Sequence, residues 1–159
     1  MKIGLLALQG AVEPHARSLA RLGVAAVPVR RNDQLADVDA LVIPGGESTT
    51  ISMLLDRQGM VEPLAERLAD GMPTLGTCAG MILLTADVAD GRADQHRFAA
   101  VDIAVRRNGY GRQVDSFESD VEITGTGSEP FHAVFIRAPL VERVGDQVEV
   151  LARVAGVPV

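Results

Sequence analysis

Through the first ninety residues of this chain, short β-type runs alternate with stretches whose apolar residues recur at helical spacing, a rhythm that few architectures accept. Residues 2–8 read as a strand. Residues 12–22 carry a helical pattern that stops at Gly23, and residues 25–29 make a second strand. Residues 40–43 form a third, broken by Pro44-Gly45-Gly46; Ser48 or Thr49 then caps a helix running to about Arg57, and another follows over 61–69. A fourth strand, 73–76, leads straight into Cys78 and a helix beginning near Ala79. Successive βαβ units of this kind build a parallel sheet buried on both faces, which places the chain in the three-layer, doubly wound α/β class. After a polar stretch at 87–97 the rhythm changes. Residues 98–106, 121–124, 131–136 and 148–154 are strand-like with no helix between them, and Gly125-Thr126-Gly127-Ser128 and Gly145-Asp146 resemble hairpin turns. The second half is therefore expected to extend the sheet with largely antiparallel strands. With 159 residues and no repeat, low-complexity tract or linker, one domain over 1–159 is expected.

Composition excludes some classes of partner. The chain is 47% hydrophobic and 23% charged, without an apolar run approaching the roughly 20 residues that cross a membrane. Fifteen basic against twenty-one acidic residues give a net charge of −6, which disfavours a phosphate backbone. Neither a membrane nor nucleic acid is expected. The opening MKIGLLALQG lacks a small-residue cleavage site and reads as a strand, not an export signal. A lone cysteine forms no internal disulfide, so the reducing cytoplasm is the expected compartment, and Cys78 becomes a candidate for chemistry.

Gly76-Thr77-Cys78-Ala79-Gly80 stands between a buried strand and the apolar start of a helix, Met81-Ile82-Leu83-Leu84. This is the pattern of a nucleophile elbow with sulfur in place of oxygen. A tight strand-to-helix turn strains its central residue and needs small neighbours, here Gly76, Ala79 and Gly80. Backbone N–H groups at a helix start favour the thiolate. The bland alternative, an inert cysteine in a glycine-rich turn, does not account for this context. The second signal is Pro44-Gly45-Gly46-Glu47-Ser48-Thr49-Thr50, also at the carboxyl end of a parallel strand, where ligands of open α/β sheets gather. Gly45 and Gly46 are suited to supply one oxyanion donor while the Ala79 N–H supplies the other. Taken alone, the same string is also an ordinary loop with a Ser/Thr cap.

Leu8-Gln9-Gly10, the Gly-Gly-Glu-Ser-Thr-Thr string, the cysteine elbow, Arg107-Asn108 with Gly111-Arg112-Gln113-Val114-Asp115-Ser116-Phe117, and Phe135-Ile136-Arg137-Ala138-Pro139 together resemble the glutaminase subunits of pyridoxal 5′-phosphate synthases. The resemblance spans nearly the whole chain. It implies a flavodoxin-like class I glutamine amidotransferase fold, L-glutamine bound by Gly46, Glu47, Ser48, Arg107, Ile136 and Arg137, and a synthase partner contacted near Gln9 and Gly10, which adjust the oxyanion hole. Guanidinium groups hold carboxylates in a bidentate fork, which suits Arg107 and Arg137 to the charged ends of an amino acid, although either is equally at home as a solvated surface charge.

The implied chemistry is attack of the Cys78 thiolate on the glutamine amide, departure of ammonia to the synthase, and hydrolysis of the thioester. It calls for no metal or cofactor. The family carries its base and orienting carboxylate as His-Pro-Glu on a late strand, and no His-x-Glu occurs in this sequence. His15, His96 and His132 lie in a helix, a charged loop and a strand and are poor substitutes. A missing C-terminal strand and helix is the expected cause; a mature protein ending at Val159 would be a weak or inactive glutaminase. Two other functions remain compatible with the sequence: a docking module that holds glutamine without hydrolysing it, and a hydrolase or chaperone-like protein sharing the cysteine elbow.

Overall fold

Four short apolar runs, Ile3–Leu6 (β1), Val27–Val29 (β2), Ala40–Ile43 (β3) and Thr74–Gly76 (β4), pair entirely in parallel in the order β2-β1-β3-β4 in a computed structural model that describes residues 1–159. Gly4 pairs with Val27 and Leu41, and Leu41 with Thr74. The central strands are apolar without alternation because both faces are covered: Leu5, Leu6, Leu41, Val42 and Ile43 are all at most 5% exposed.

The connections are Val12–Arg21 (α1), Asn32–Ala36 (α2), Ser48–Arg57 (α3) and Val61–Ala69 (α4), with Ala79–Leu84 (α5) after β4. From β1 the chain moves outward to β2, then returns past β1 to β3 and on to β4. Right-handed crossovers in opposite directions place α1 on one face of the sheet and α2 to α4 on the other, giving three layers. The packing of α2 against α4 follows from this. Leu35, Ile51, Leu55 and Leu64 bring these helices into the core, each burial stabilising by about 1.5–3 kcal/mol. By contrast α1 buries no residue and ends at Gly23, whose φ of 74° lets its N–H return to the Ala20 carbonyl.

These elements, Met1–Leu84 with Arg92–Ala100, form one compact unit; Thr85–Gly91 with Val101–Val159 form a second. The second contains Thr85–Val88 (β5), Val101–Arg106 (β6), Phe117–Val121 (β7), Phe131–Phe135 (β8), Leu140–Val144 (β9), Arg153–Val154 (β10) and Val157–Pro158 (β11). Here β5 pairs with β6 in parallel and β9 joins β6 antiparallel, while β7 with β8 and β10 with β11 make antiparallel ribbons. Tyr110 tilts against Phe117 and Phe135, whose rings stack 4.7 Å apart.

Several elements differ from their sequence-based expectation. Glu47, not Ser48 or Thr49, is the N-cap of α3, because its carboxylate accepts the Thr50 N–H. The polar stretch from Asp87 begins inside β5, which pairing with β6 supports. The strand expected over 121–124 lies earlier, at Phe117–Val121, and the one expected over 148–154 shrinks to the two residues of β10. Leu140–Val144 forms a strand that the sequence pattern does not predict. Gly145-Asp146 ends β9 without joining two paired strands, whereas Gly125-Thr126-Gly127-Ser128 does lie between paired β7 and β8. The Ala155-Gly156 turn, with φ values of 49° and 83°, closes the final ribbon.

Candidate active site at the carboxyl ends of the parallel strands

In a sheet of order 2-1-3-4 the chain reverses direction between β1 and β3, and the loops leaving those two strands part to form a crevice. Gln9-Gly10 leaves β1, Gly45-Gly46-Glu47 leaves β3, and Thr77-Cys78 leaves β4. Cys78 adopts φ 49°, a left-handed conformation that costs a non-glycine residue about 1–3 kcal/mol. The turn is enforced on three sides: the Thr77 N–H donates to the Ile43 carbonyl (3.1 Å), the Gly80 N–H to the Thr77 carbonyl (2.9 Å), and the Ile82 N–H to the Cys78 carbonyl (3.1 Å). Only glycine fits at two of its corners. A Cβ on Gly80 would stand 2.1 Å from the Ile43 carbonyl oxygen, and one on Gly76 would stand 2.7 Å from the Gly80 backbone. Cys78 is half-buried, and Ala79 behind it is 1% exposed.

The glycine loop lies against this elbow. A Cβ on Gly45 would meet the Cβ of Cys78 at 3.4 Å, so the Gly45 backbone runs directly beside the nucleophile. Its carbonyl accepts the Ala11 N–H at 2.8 Å, and a trans peptide then points the Gly46 N–H the opposite way. Gly10, at φ 104°, makes this approach feasible, since a Cβ there would sit 2.1 Å from the Gly45 oxygen. The Gln9 side-chain oxygen accepts the Glu47 N–H at 3.0 Å.

Glu47 is held more tightly than its neighbours. Burial pushes its carboxyl pKa up, but hydrogen bonds from the Thr49 hydroxyl and from the N–H and hydroxyl of Thr50 outweigh that and bring it down from 4.5 to about 2. It is a fixed anion at neutral pH. Nearby, Thr49, Thr50, Met53, Arg92, Asp94 and Gln95 line a cavity of about 190 Å³. Ser48, the first residue of α3, is only 3% exposed.

The first unit thus brings together Gln9, Gly10, Gly45, Gly46, Glu47 and Cys78, with Ser48 and Ala79 buried beside them. Arg107, Ile136 and Arg137 belong to the second unit. There the Arg107 N–H donates to Asp90 at 2.6 Å, Ile136 is 53% exposed, and Arg137 takes φ 47°. Arg137 lines a groove of about 500 Å³ with Asn108, Gly111, Arg112, Gln113 and Asp115, and Asn108 is likewise left-handed at φ 48°.

Sequence reasoning missed the Thr49 and Thr50 clamp on Glu47, for which the Glu-Ser-Thr-Thr string was the available signal. It also missed the bond between Thr77 and His15, residues 62 apart, which no local pattern announces. His132 lies between Asp120 and Glu118 at 2.9 and 3.0 Å, and His96 faces Asp56 at 3.6 Å.

Comparison with known proteins gives a concordant result. A family model described as the SNO glutamine amidotransferase family matches residues 5–159. A pyridoxal 5′-phosphate synthase subunit PdxT from Frankia alni is 58% identical over 158 residues, covering 99% of this chain and 79% of the relative. The PdxT subunit of Salinispora tropica is 56% identical over 156 residues, covering 98% and 78%. A crystal structure of a glutamine amidotransferase superimposes with a TM-score of 0.92 at 44% identity over all of this chain and 83% of that one. The structure of PurLQS from Thermotoga maritima, at 15% identity and a TM-score of 0.61 over 96% of this chain and 74% of its own, shares the fold.

Proposed function

This chain belongs to the SNO glutamine amidotransferase family, with the flavodoxin-like class I fold of that family, and from that premise we propose that it hydrolyses L-glutamine to L-glutamate and ammonia as the glutaminase subunit of a pyridoxal 5′-phosphate synthase. The observation that carries the proposal is the left-handed Cys78 held against Gly45 at the carboxyl end of the sheet.

Cys78 Sγ attacks the side-chain amide carbon of glutamine. As the S–C bond forms, the carbonyl oxygen gains negative charge, which backbone N–H groups of the Gly45-Gly46 segment and of Ala79 stabilise. Breaking the C–N bond releases ammonia for the synthase partner, and water then cleaves the thioester to glutamate. The proton is carried in the family by the histidine of the His-Pro-Glu string, which does not occur in residues 1–159. Those residues supply the nucleophile, the oxyanion donors and the substrate contacts. Gly46 and Ser48 contact the glutamine, and Glu47, ionised at neutral pH, attracts its ammonium group. Arg107, Ile136 and Arg137 complete the proposed set of glutamine-binding residues, the two guanidinium groups suiting a charged end of the amino acid. Gln9 and Gly10 receive the synthase, because this loop already bonds Gly45 and Glu47 and so senses the oxyanion peptide directly. The cytoplasm is the proposed compartment, since a reducing environment keeps a lone nucleophilic cysteine as a thiol.

The test is glutamate release from glutamine in the presence of the synthase. Cys78→Ala is expected to abolish it while leaving glutamine binding measurable by titration. Unchanged release in that variant would end the proposal.

A further inference from the structure

His15 lies in the first turns of α1, yet its ring reaches the elbow: Nε2 is 3.1 Å from the Thr77 Oγ1, and Nδ1 is 2.8 Å from the Ala11 carbonyl oxygen. A carbonyl oxygen only accepts, so Nδ1 carries the proton. In the neutral ring this leaves Nε2 as acceptor and the Thr77 hydroxyl as donor, a tautomer fixed from both ends.

We propose that His15 is a positioning residue for the nucleophile, fixing through the Thr77 hydroxyl the residue immediately before Cys78 and coupling the seat of α1 to the geometry of the elbow. The proposal rests on Cys78 being the glutaminase nucleophile. Three polar groups of Thr77 are engaged: its N–H with Ile43, its carbonyl with Gly80, and its hydroxyl with His15. The first two shape the turn itself. The third ties that turn to α1, a helix with no fully buried residue. Ala11, at the N-cap of α1, donates to the Gly45 carbonyl, while His15, one turn later, takes up Thr77. The same short stretch of helix thus grips both the peptide beside the sulfur and the residue preceding it. A displacement of α1 moves oxyanion peptide and nucleophile together. A packing role alone would not call for this polar pair, since two half-buried polar side chains are costly together unless their bond is made.

The experiment uses the chain with its synthase partner and compares His15→Phe, Thr77→Val, the double variant and Thr77→Ser. His15→Phe and Thr77→Val are each expected to lower kcat for glutamate release about tenfold, the rate equivalent of one net hydrogen bond, with KM for glutamine unchanged. The double variant should fall no further than either single one, because both remove the same link. Thr77→Ser, which keeps the hydroxyl, should retain wild-type kcat. The rate of Cys78 alkylation by iodoacetamide, read on the same proteins, should drop in the first three and not in Thr77→Ser. A lowered melting temperature with unchanged kcat and unchanged alkylation would reduce the bond to a stabilising one and overturn the inference, as would full additivity in the double variant. If the wild-type complex released too little glutamate to time, because residues 1–159 lack the family's histidine, the alkylation series would decide alone, and an unchanged alkylation rate in His15→Phe and Thr77→Val would overturn the inference.

Discussion

Cys78 keeps a backbone angle of 49° because its neighbours leave no other arrangement, and the same crowding makes Gly80 irreplaceable. In Gly80→Ala the new methyl would meet the Ile43 carbonyl at 2.1 Å, and relief requires a backbone shift. A loss of about 1–3 kcal/mol is expected, seen as a fall in Tm of roughly 3–10 °C, together with loss of glutaminase activity. Glu47 gives a prediction in pH. Its folded carboxyl titrates at about 2 against an ordinary 4.5, so its stabilisation is fully present above 4.5 and disappears as the pH falls toward 2. Urea midpoints of the wild type should decline across that acid window, and Glu47→Gln should decline less; parallel curves would show that the donors on this carboxylate do not stabilise the fold. The elbow and the glycine loop were legible in the sequence because their chemistry is written in contiguous residues. The Glu47 cap was not, since a Ser-Thr-Thr run directly after it offers more usual capping side chains, whereas in the folded chain the threonines donate to the glutamate instead.

Among elements, β1, β3 and β4 were readable because strands buried on both faces are continuous apolar runs. Their counterparts in the second unit are masked by charge. In β9, Glu142 and Arg143 resemble loop residues, but in the ladder they pair with Arg106 (2.7 Å) and Asp102 (2.6 Å) on β6. In β7, Glu118 and Asp120 have the same effect, and both belong to the exposed face of a two-stranded ribbon. That ribbon carries its own pH dependence. Hydrogen bonds donated by the ring to Asp120 and Glu118 raise the His132 pKa above its usual 6.5, so the charged ring stabilises the β7–β8 pairing below 6.5, and this contribution is lost as the pH rises through the raised value. Amide protection factors in Phe131–Phe135 should fall over that rise, and His132→Gln should remove the dependence. Equal protection in wild type and variant at every pH would show that the two carboxylates add nothing to the pairing. The fully exposed position keeps the effect small and sensitive to salt.

On the scale of the whole molecule, the notable feature is how the backbone is shared. The chain leaves the first unit after Leu84, spends Thr85–Gly91 in the second, and returns for Arg92–Ala100 before leaving again. The returning segment is anchored: the His96 N–H donates to the Ser52 hydroxyl (2.8 Å), and the Phe98 N–H to the Leu83 carbonyl (2.8 Å). Loosening either unit pulls on strands or anchors of the other through the covalent chain, so a single cooperative transition is expected, as for one domain. Two natural probes check this. Tyr110, the sole tyrosine in a chain without tryptophan, reports on the second unit by fluorescence, and Cys78 reports on the first by thiol labelling. Coincident denaturant midpoints are expected, and separated midpoints would mean that the units melt independently.

The same threading sets an order for biosynthesis. A ribosome that has released only the first 84 residues has delivered all four strands of the first unit's sheet, but not the strip that Ser52 and Leu83 await. The first unit stays unfinished until the codons for β5 and the segment after it have been read.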